Sequence, residues 1–236
     1  MRRWEKILLG IFFFWLVCGM ICLGFRLEPA QVGAWQVPFW LKQFVIGCLR
    51  WGDPVLIGLA VANVHVAAVQ AWGPFAARRF ALGAMLFGGA IEWIGAATGF
   101  PFGAYVYTEV LGPRVGLLPL AIPLSWYLVT AASLLTVQRA PVSWNRWQEA
   151  GAAAVLATAY DGVMEPFAVK IKNYWWWATP EIPWQNYASW WVVSFVICAA
   201  LAPNAAALRQ GRDWRPPAVL GGILSFFALA RWIHGV

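Results

Sequence analysis

The stretch FALGAMLFGGAIEWIGAAT, residues 80–98, is apolar throughout except for one ionisable side chain, Glu92. As a helix at 1.5 Å per residue it would cover about 28 Å, close to the roughly 30 Å hydrocarbon core of a bilayer. A second run, AGAAAVLATAYDGVMEPFAV at 150–169, carries Asp161 and Glu165 four positions apart, hence on one face of a helix. A charge in hydrocarbon is costly, so an acid kept inside such a run marks a functional site by default. Together the two stretches predict an acidic site within an apolar helical bundle.

The composition agrees with that reading. Of 236 residues, 61% are hydrophobic and 11% charged, and the mean hydropathy is +0.63; a soluble domain carries about a quarter charged residues. The chain reads as an all-α integral membrane protein, a single transmembrane domain over residues 1–236. The fold class is a polytopic bundle of about seven transmembrane helices with an interrupted, aromatic-rich outer face. Its 18 tryptophans cluster near the ends of the apolar runs, where indoles anchor at lipid headgroups. The net charge of +7 comes from small basic groups between those runs, not from a basic tract, so nucleic acid is not an expected partner and membrane lipids are. Cys18, Cys22, Cys48 and Cys198 have no metal-type spacing and read as free thiols.

Seven spans are expected: Ile7–Phe25, Pro54–Trp72, Phe80–Thr98, Leu117–Val137, Ala150–Val169, Ala188–Ala202 and Pro217–Ile233. The first resembles a signal sequence but is too long and lacks a small-x-small cleavage site, so an uncleaved span is expected. Val32–Leu49, which holds Pro38 and Lys42, reads as an interfacial or re-entrant segment. Arg2, Arg3 and Lys6, then Arg78 and Arg79, then Arg139 and Arg146, then Arg209, Arg212 and Arg215 all fall on one side of this topology. The positive-inside rule makes that side, and the amino terminus, cytoplasmic, with a prokaryotic plasma membrane as the expected location. Glu92, Asp161 and Glu165 then share the outer half of the bilayer. The two unusual loops, Gly99–Gly116 and Lys170–Tyr187, open onto the same half.

Those loops are rich in chemistry-bearing side chains. The first begins Gly99-Phe100-Pro101-Phe102-Gly103-Ala104-Tyr105-Val106-Tyr107, too apolar for an exposed loop and too rich in helix breakers for a helix. Irregular backbone near a membrane is tolerated where protein buries it or where it lines a cavity. Pro166, after Asp161 and Glu165, predicts a kink that draws Glu165 away from helical geometry. Apolar surroundings favour the neutral form of a carboxyl, and a neighbouring acid pushes one of a pair further that way; a proton so held suits a general acid. The plainer alternative is a hydrogen-bonding pair that locks two spans together. The second loop supplies Trp175, Trp176 and Trp177, then Asn186 and Trp190. Indole faces stabilise a cation without acting as nucleophiles, and they also form a flat slot for a polyene. His65, with Asn63 in the second span, reads as a packing or hydrogen-bonding residue. No metal-binding, phosphate-loop or dinucleotide pattern is present, and neither a metal nor another cofactor is expected.

Glu92 with Gly95, the loop Gly99–Tyr107, Leu111-Gly112-Pro113 and the run Pro119–Trp126 together resemble the CruF-type carotenoid biosynthesis family. These are integral membrane hydratases of acyclic carotenoid ends. Tyr160–Pro166 looks like the family's second acidic motif. Trp175-x-Trp177 and Pro183-x-x-Asn186-Tyr187-x-x-Trp190 are similar to its third. The resemblance covers roughly residues 87–191, with departures at Glu165, where the family more often has Asp, and at Thr179-Pro180-Glu181. It implies a lipophilic carotenoid substrate and a cofactor-independent reaction in which an acid protonates an alkene and water captures the tertiary carbocation. Glu92, Asp161 and Glu165 are the implied catalytic residues. Phe100, Phe102, Tyr105, Tyr107, Trp126, Trp175, Trp177, Asn186 and Trp190 are the implied substrate contacts. Two alternatives stay open: an end-ring cyclase that shares the protonation step, and a carrier that binds an isoprenoid without reacting it.

Overall fold

The computed structural model describes residues 1–140, 143–203 and 213–236. In chain order the elements are α1 (Arg3–Gly24), α2 (Pro29–Gly33), α3 (Phe39–Trp72), α4 (Pro74–Thr98), β1 (Tyr105–Tyr107), β2 (Arg114–Val115) and β3 (Leu118–Pro119). They continue as α5 (Ala121–Val137), α6 (Arg146–Lys170), β4 (Trp175–Trp177), α7 (Trp184–Leu201) and α8 (Arg215–His234). The fold is all-α apart from two minimal strand pairs, β1 with β4 and β2 with β3.

Helix α5 is the hub. Every residue from Trp126 to Leu135 is buried, and the helix packs against α3, α4, α6, α7 and α8. A helix apolar on all sides belongs in the interior. On the outer helices the pattern is inverted relative to a soluble protein. Ile7, Ile11, Phe14, Val17 and Ile21 of α1 are exposed, as are Leu82, Leu86 and Ile94 of α4. The inner face of α4 reads Ala77, Phe80, Ala81, Ala84, Gly88, Gly89, Glu92 and Gly95. Small residues let helices approach closely. At Gly88 a Cβ would lie 2.5 Å from the Trp126 ring, so any larger residue would displace that indole.

Among the described residues, four helices are long and apolar enough to cross a membrane: α1, α3, α4 and α8. The seven expected spans correspond in position to α1 and α3 to α8. Helix α5 has 17 residues, while α6 carries Asp161 and Glu165 and α7 opens on Gln185 and Asn186. Helix α5 is thus the short, interior one, whereas α6 and α7 are long enough but carry these polar side chains.

Two expectations need correction. Val32–Leu49 is not a separate interfacial or re-entrant segment: most of it joins the second expected span in the 34-residue α3, with Pro54 inside the helix. At 1.5 Å per residue α3 is about 51 Å long, more than a hydrocarbon core requires. Nor does Pro166 draw Glu165 out of helical geometry, because α6 continues through it to Lys170. The neighbouring Arg215 caps a buried polar cluster; Arg209 and Arg212 lie outside the described residues. That cluster ties α1, α3 and α8 together at one end. Gln70 Nε2 donates to Glu5 Oε1 at 2.6 Å, Arg215 Nη2 donates to Gln70 Oε1 at 2.6 Å and lies 3.8 Å from Glu5 Oε2, and the guanidinium also pairs with Asp213.

Removing one partner of a buried ion pair strands the other. Arg215→Met is expected to lower stability by about 3 kcal/mol, read as a lower thermal midpoint in detergent. Arg2→Met, whose side chain is exposed where it pairs with Glu5, is expected to change it by less than about 1 kcal/mol.

Candidate functional site

Glu92 sits on the inner stripe of α4, two turns before that helix ends at Gly99 with φ +79°. Three side chains converge on its carboxylate. Tyr105 and Tyr107 donate to Oε2 at 2.6 and 2.7 Å, and Trp126 Nε1 donates to Oε1 at 3.0 Å. Both phenols come from β1, whose alternation turns Tyr105 and Tyr107 inward and Val106 outward. Burial, reinforced by the Glu92 carboxylate, holds the Tyr105 and Tyr107 hydroxyls above their ordinary value, so they serve as donors. Gly95, one turn beyond Glu92, admits the Phe102 ring, which would lie 2.7 Å from a Cβ there.

The second cluster grows out of the inner face of α6. The stripe Ala150, Ala153, Ala154 and Ala157 continues as Asp161 and Glu165 at helical spacing, and all six are buried. Asn186, at the start of α7, bridges the acids: its Nδ2 donates to Asp161 Oδ2 at 2.9 Å and to Glu165 Oε1 at 3.2 Å. Glu165 Oε2 also accepts from Trp177 Nε1 at 3.1 Å and Trp175 Nε1 at 3.3 Å. Asp161 Oδ1 is buried without a hydrogen-bond partner. One acid of the pair is thus richly solvated by protein, and the other has a free oxygen.

The β1–β4 pair joins the two clusters. Its antiparallel register sets Tyr105 opposite Trp177 and Tyr107 opposite Trp175, so donors to Glu92 face donors to Glu165. The Tyr105 and Trp177 rings lie 5.2 Å apart, and Trp126 stacks on Trp190 at 4.1 Å. Glu92, Asp161 and Glu165 line a single cavity of about 90 Å³ together with Phe102, Tyr105, Tyr107, Trp126, Trp175, Trp177, Asn186 and Trp190. The far wall is apolar, with Leu56 and Ile57 of α3, Val129 of α5 and Ile223, Phe226 and Phe227 of α8.

Of the implied catalytic and substrate-contact residues, Phe100 alone is not brought to the cavity: it is 74% exposed, turned outward while Phe102 turns in. His65 lies elsewhere, its Nδ1 2.8 Å from the Tyr127 hydroxyl. Sequence reasoning passed over Asp53, Tyr160 and Tyr174, all of which line the cavity. Asp53 falls between the expected segments Val32–Leu49 and Pro54–Trp72, and α3 runs through it.

Residues 52–236 match the carotenoid biosynthesis protein family, and the chain belongs to that family. It is similar to the bisanhydrobacterioruberin hydratase of Haloarcula japonica, at 32% identity over 151 residues, covering 59% of this chain and 50% of that protein. The chain spans about half the length of this curated relative. No solved structure matches it.

Because one amide serves both acids, Asn186→Leu leaves two buried acceptors short of a donor. The expected cost is about 1–3 kcal/mol, seen as a lowered thermal midpoint. Asn186→Gln, which keeps the amide, is expected to cost less.

Proposed function

We propose that this chain is a hydratase that adds water across the terminal double bond of an acyclic carotenoid end. The observation that carries the reading is the shared cavity. Three buried carboxylates from two helices meet there beneath a cover of indoles and phenols, with one carboxyl oxygen, Asp161 Oδ1, unpartnered. The hydratase named among its relatives supports the same reaction class.

Unequal donor counts divide the roles. Glu165 accepts from three N–H groups and Asp161 from one, so the pair's proton resides on Asp161 and its charge on Glu165. Asp161 gives that proton to the less substituted carbon of the alkene. A C–H bond forms from the π pair and leaves a tertiary cation. The indole faces of Trp126 and Trp190 stabilise the cation and offer no nucleophile. Water attacks the cation, forming the C–O bond, and Glu92 takes the proton lost from the resulting oxonium. Glu92 is placed for this role by the three donors that fix its carboxyl oxygens at the cavity wall. One proton then returns from Glu92 to Asp161, so each turnover consumes only alkene and water. No electron changes hands and no redox cofactor enters the reaction.

In this reading the whole chain is one transmembrane domain with α1 and α3 to α8 as its seven spans, embedded in a prokaryotic plasma membrane. The amino terminus and the Glu5–Arg215 cluster are cytoplasmic. The acids sit in the outer half, beneath β1 and β4, and the aromatic rings there make up the interrupted outer face. Such a topology follows the positive-inside rule.

The test is pigment analysis in a host that makes an acyclic carotenoid. The intact chain is expected to add the mass of one water per reacted end; conversion without change of mass would indicate cyclisation. Asp161→Asn and Glu92→Gln are each expected to reduce hydroxylated product by about 10²–10⁴. Normal product from both variants would overturn the assignment.

A further inference from the structure

A cavity that hydrates must admit one water per turnover, and most of this one is closed. Glu92, Asp161, Glu165 and Asn186 are all buried, and the opposite wall is hydrocarbon. Among the described residues the cavity has a fourth carboxylate, Asp53 of α3, which no step above uses. Its side chain is 17% exposed, the most of the four. Lys172, just beyond α6, lies with its Nζ 2.7 Å from Asp53 Oδ2 and is itself 21% exposed. The Lys172 amide donates to the Phe167 carbonyl at 3.0 Å, which fixes the turn where α6 leads into Tyr174 and β4. The ion pair therefore lies where the cavity wall gives way to the loop before β4.

We infer that Asp53 is the water port of this site: its carboxylate carries hydration to the cavity wall, and Lys172 covers it from outside. The inference rests on the hydratase reading and extends it to the supply of the second substrate. A buried polar group recruits ordered water where the cavity is roomy enough, and roughly 10–15 Å³ accommodates one molecule. The 90 Å³ cavity has space for several before a carotenoid end fills it. The Asp53 carboxylate is the most exposed acid of the lining and lies beside Tyr174, whose ring Lys172 Nζ approaches to 5.8 Å. Once the end group is seated, the water that remains sits against Asp53, and access there separates capture by water from loss of the cation by another route.

The competing explanation is structural, a staple that pins the α6–β4 turn to α3. The two make different demands on the partners. A staple needs both charges equally; a port needs the carboxylate and can lose its cover. Expected results for the full chain in membranes are a hydration rate reduced roughly tenfold or more in Asp53→Asn, with KM for the carotenoid unchanged, and a rate within about twofold of the unaltered chain in Lys172→Gln. Asp53→Glu is expected to restore most of the hydration. Equal losses in Asp53→Asn and Lys172→Gln, with matching falls in thermal midpoint, would overturn the port in favour of the staple. Unaltered hydration in Asp53→Asn would also overturn it. If the unaltered chain adds no water to any acyclic carotenoid, it is the hydratase reading that fails, and the port goes with it.

Discussion

A carboxylate removed from water must be given hydrogen-bond donors by its surroundings, and much of this molecule is organised around doing so for Glu92 and Glu165. The cost of an unpaired buried charge is several kcal/mol, so Glu92 and Glu165 each draw three N–H or O–H groups from elements distant in sequence. Those donors are phenols, indoles and one amide. None is a Lys or Arg that would neutralise the acid outright. Such donors satisfy the carboxyl oxygens while leaving the rest of the cavity lining largely apolar. The same requirement accounts for the aromatic loops: Tyr105, Tyr107, Trp175 and Trp177 act in pairs across a three-residue strand ladder.

The second constraint is room. A 17-residue helix surrounded on every side can be reached by its neighbours only if they present small side chains, and α4 and α6 do, through Gly88 and Gly95 on one and the alanine stripe on the other. Bulk is held in reserve for Trp126, whose indole fills the space above Gly88, donates to Glu92 and stacks on Trp190. A single side chain thus couples helix packing to the chemistry of the site. At the opposite end, the Glu5–Gln70–Arg215 cluster joins three helices by charge and hydrogen bonds where the bundle offers fewer large apolar contacts.

Much of this was legible in residue order. The apolar runs placed α1, α6 and α8 to within a few residues but missed the first part of α3, and the acids stood out because hydrocarbon runs rarely hold them. The family membership agrees with the motifs that carried the resemblance. What was missed has identifiable causes. The extent of α3 was obscured by Pro38, Lys42 and Pro54, each a local signal against a spanning helix that tertiary packing overrode. The β1–β4 ladder joins strands of three residues separated by two helices, and so short a run carries almost no periodic signal of its own. Phe100 and Phe102 are equivalent in composition, and only the turn at Gly99 sends one outward and the other inward. Asp53 was passed over because the expected span began one residue later, at Pro54.

By itself, then, the sequence determined the class of the molecule, its long helices and the three acids that lie within them, because hydropathy and helical spacing are local properties. Which donors reach which acid, that all three acids share one cavity, and that a fourth carboxylate joins them at its edge were decided only by tertiary structure. Hydrogen bonds between residues as far apart as Glu92 and Trp126, or Asp161 and Asn186, depend on how helices cross, and that is a property of packing that no stretch of chain encodes alone.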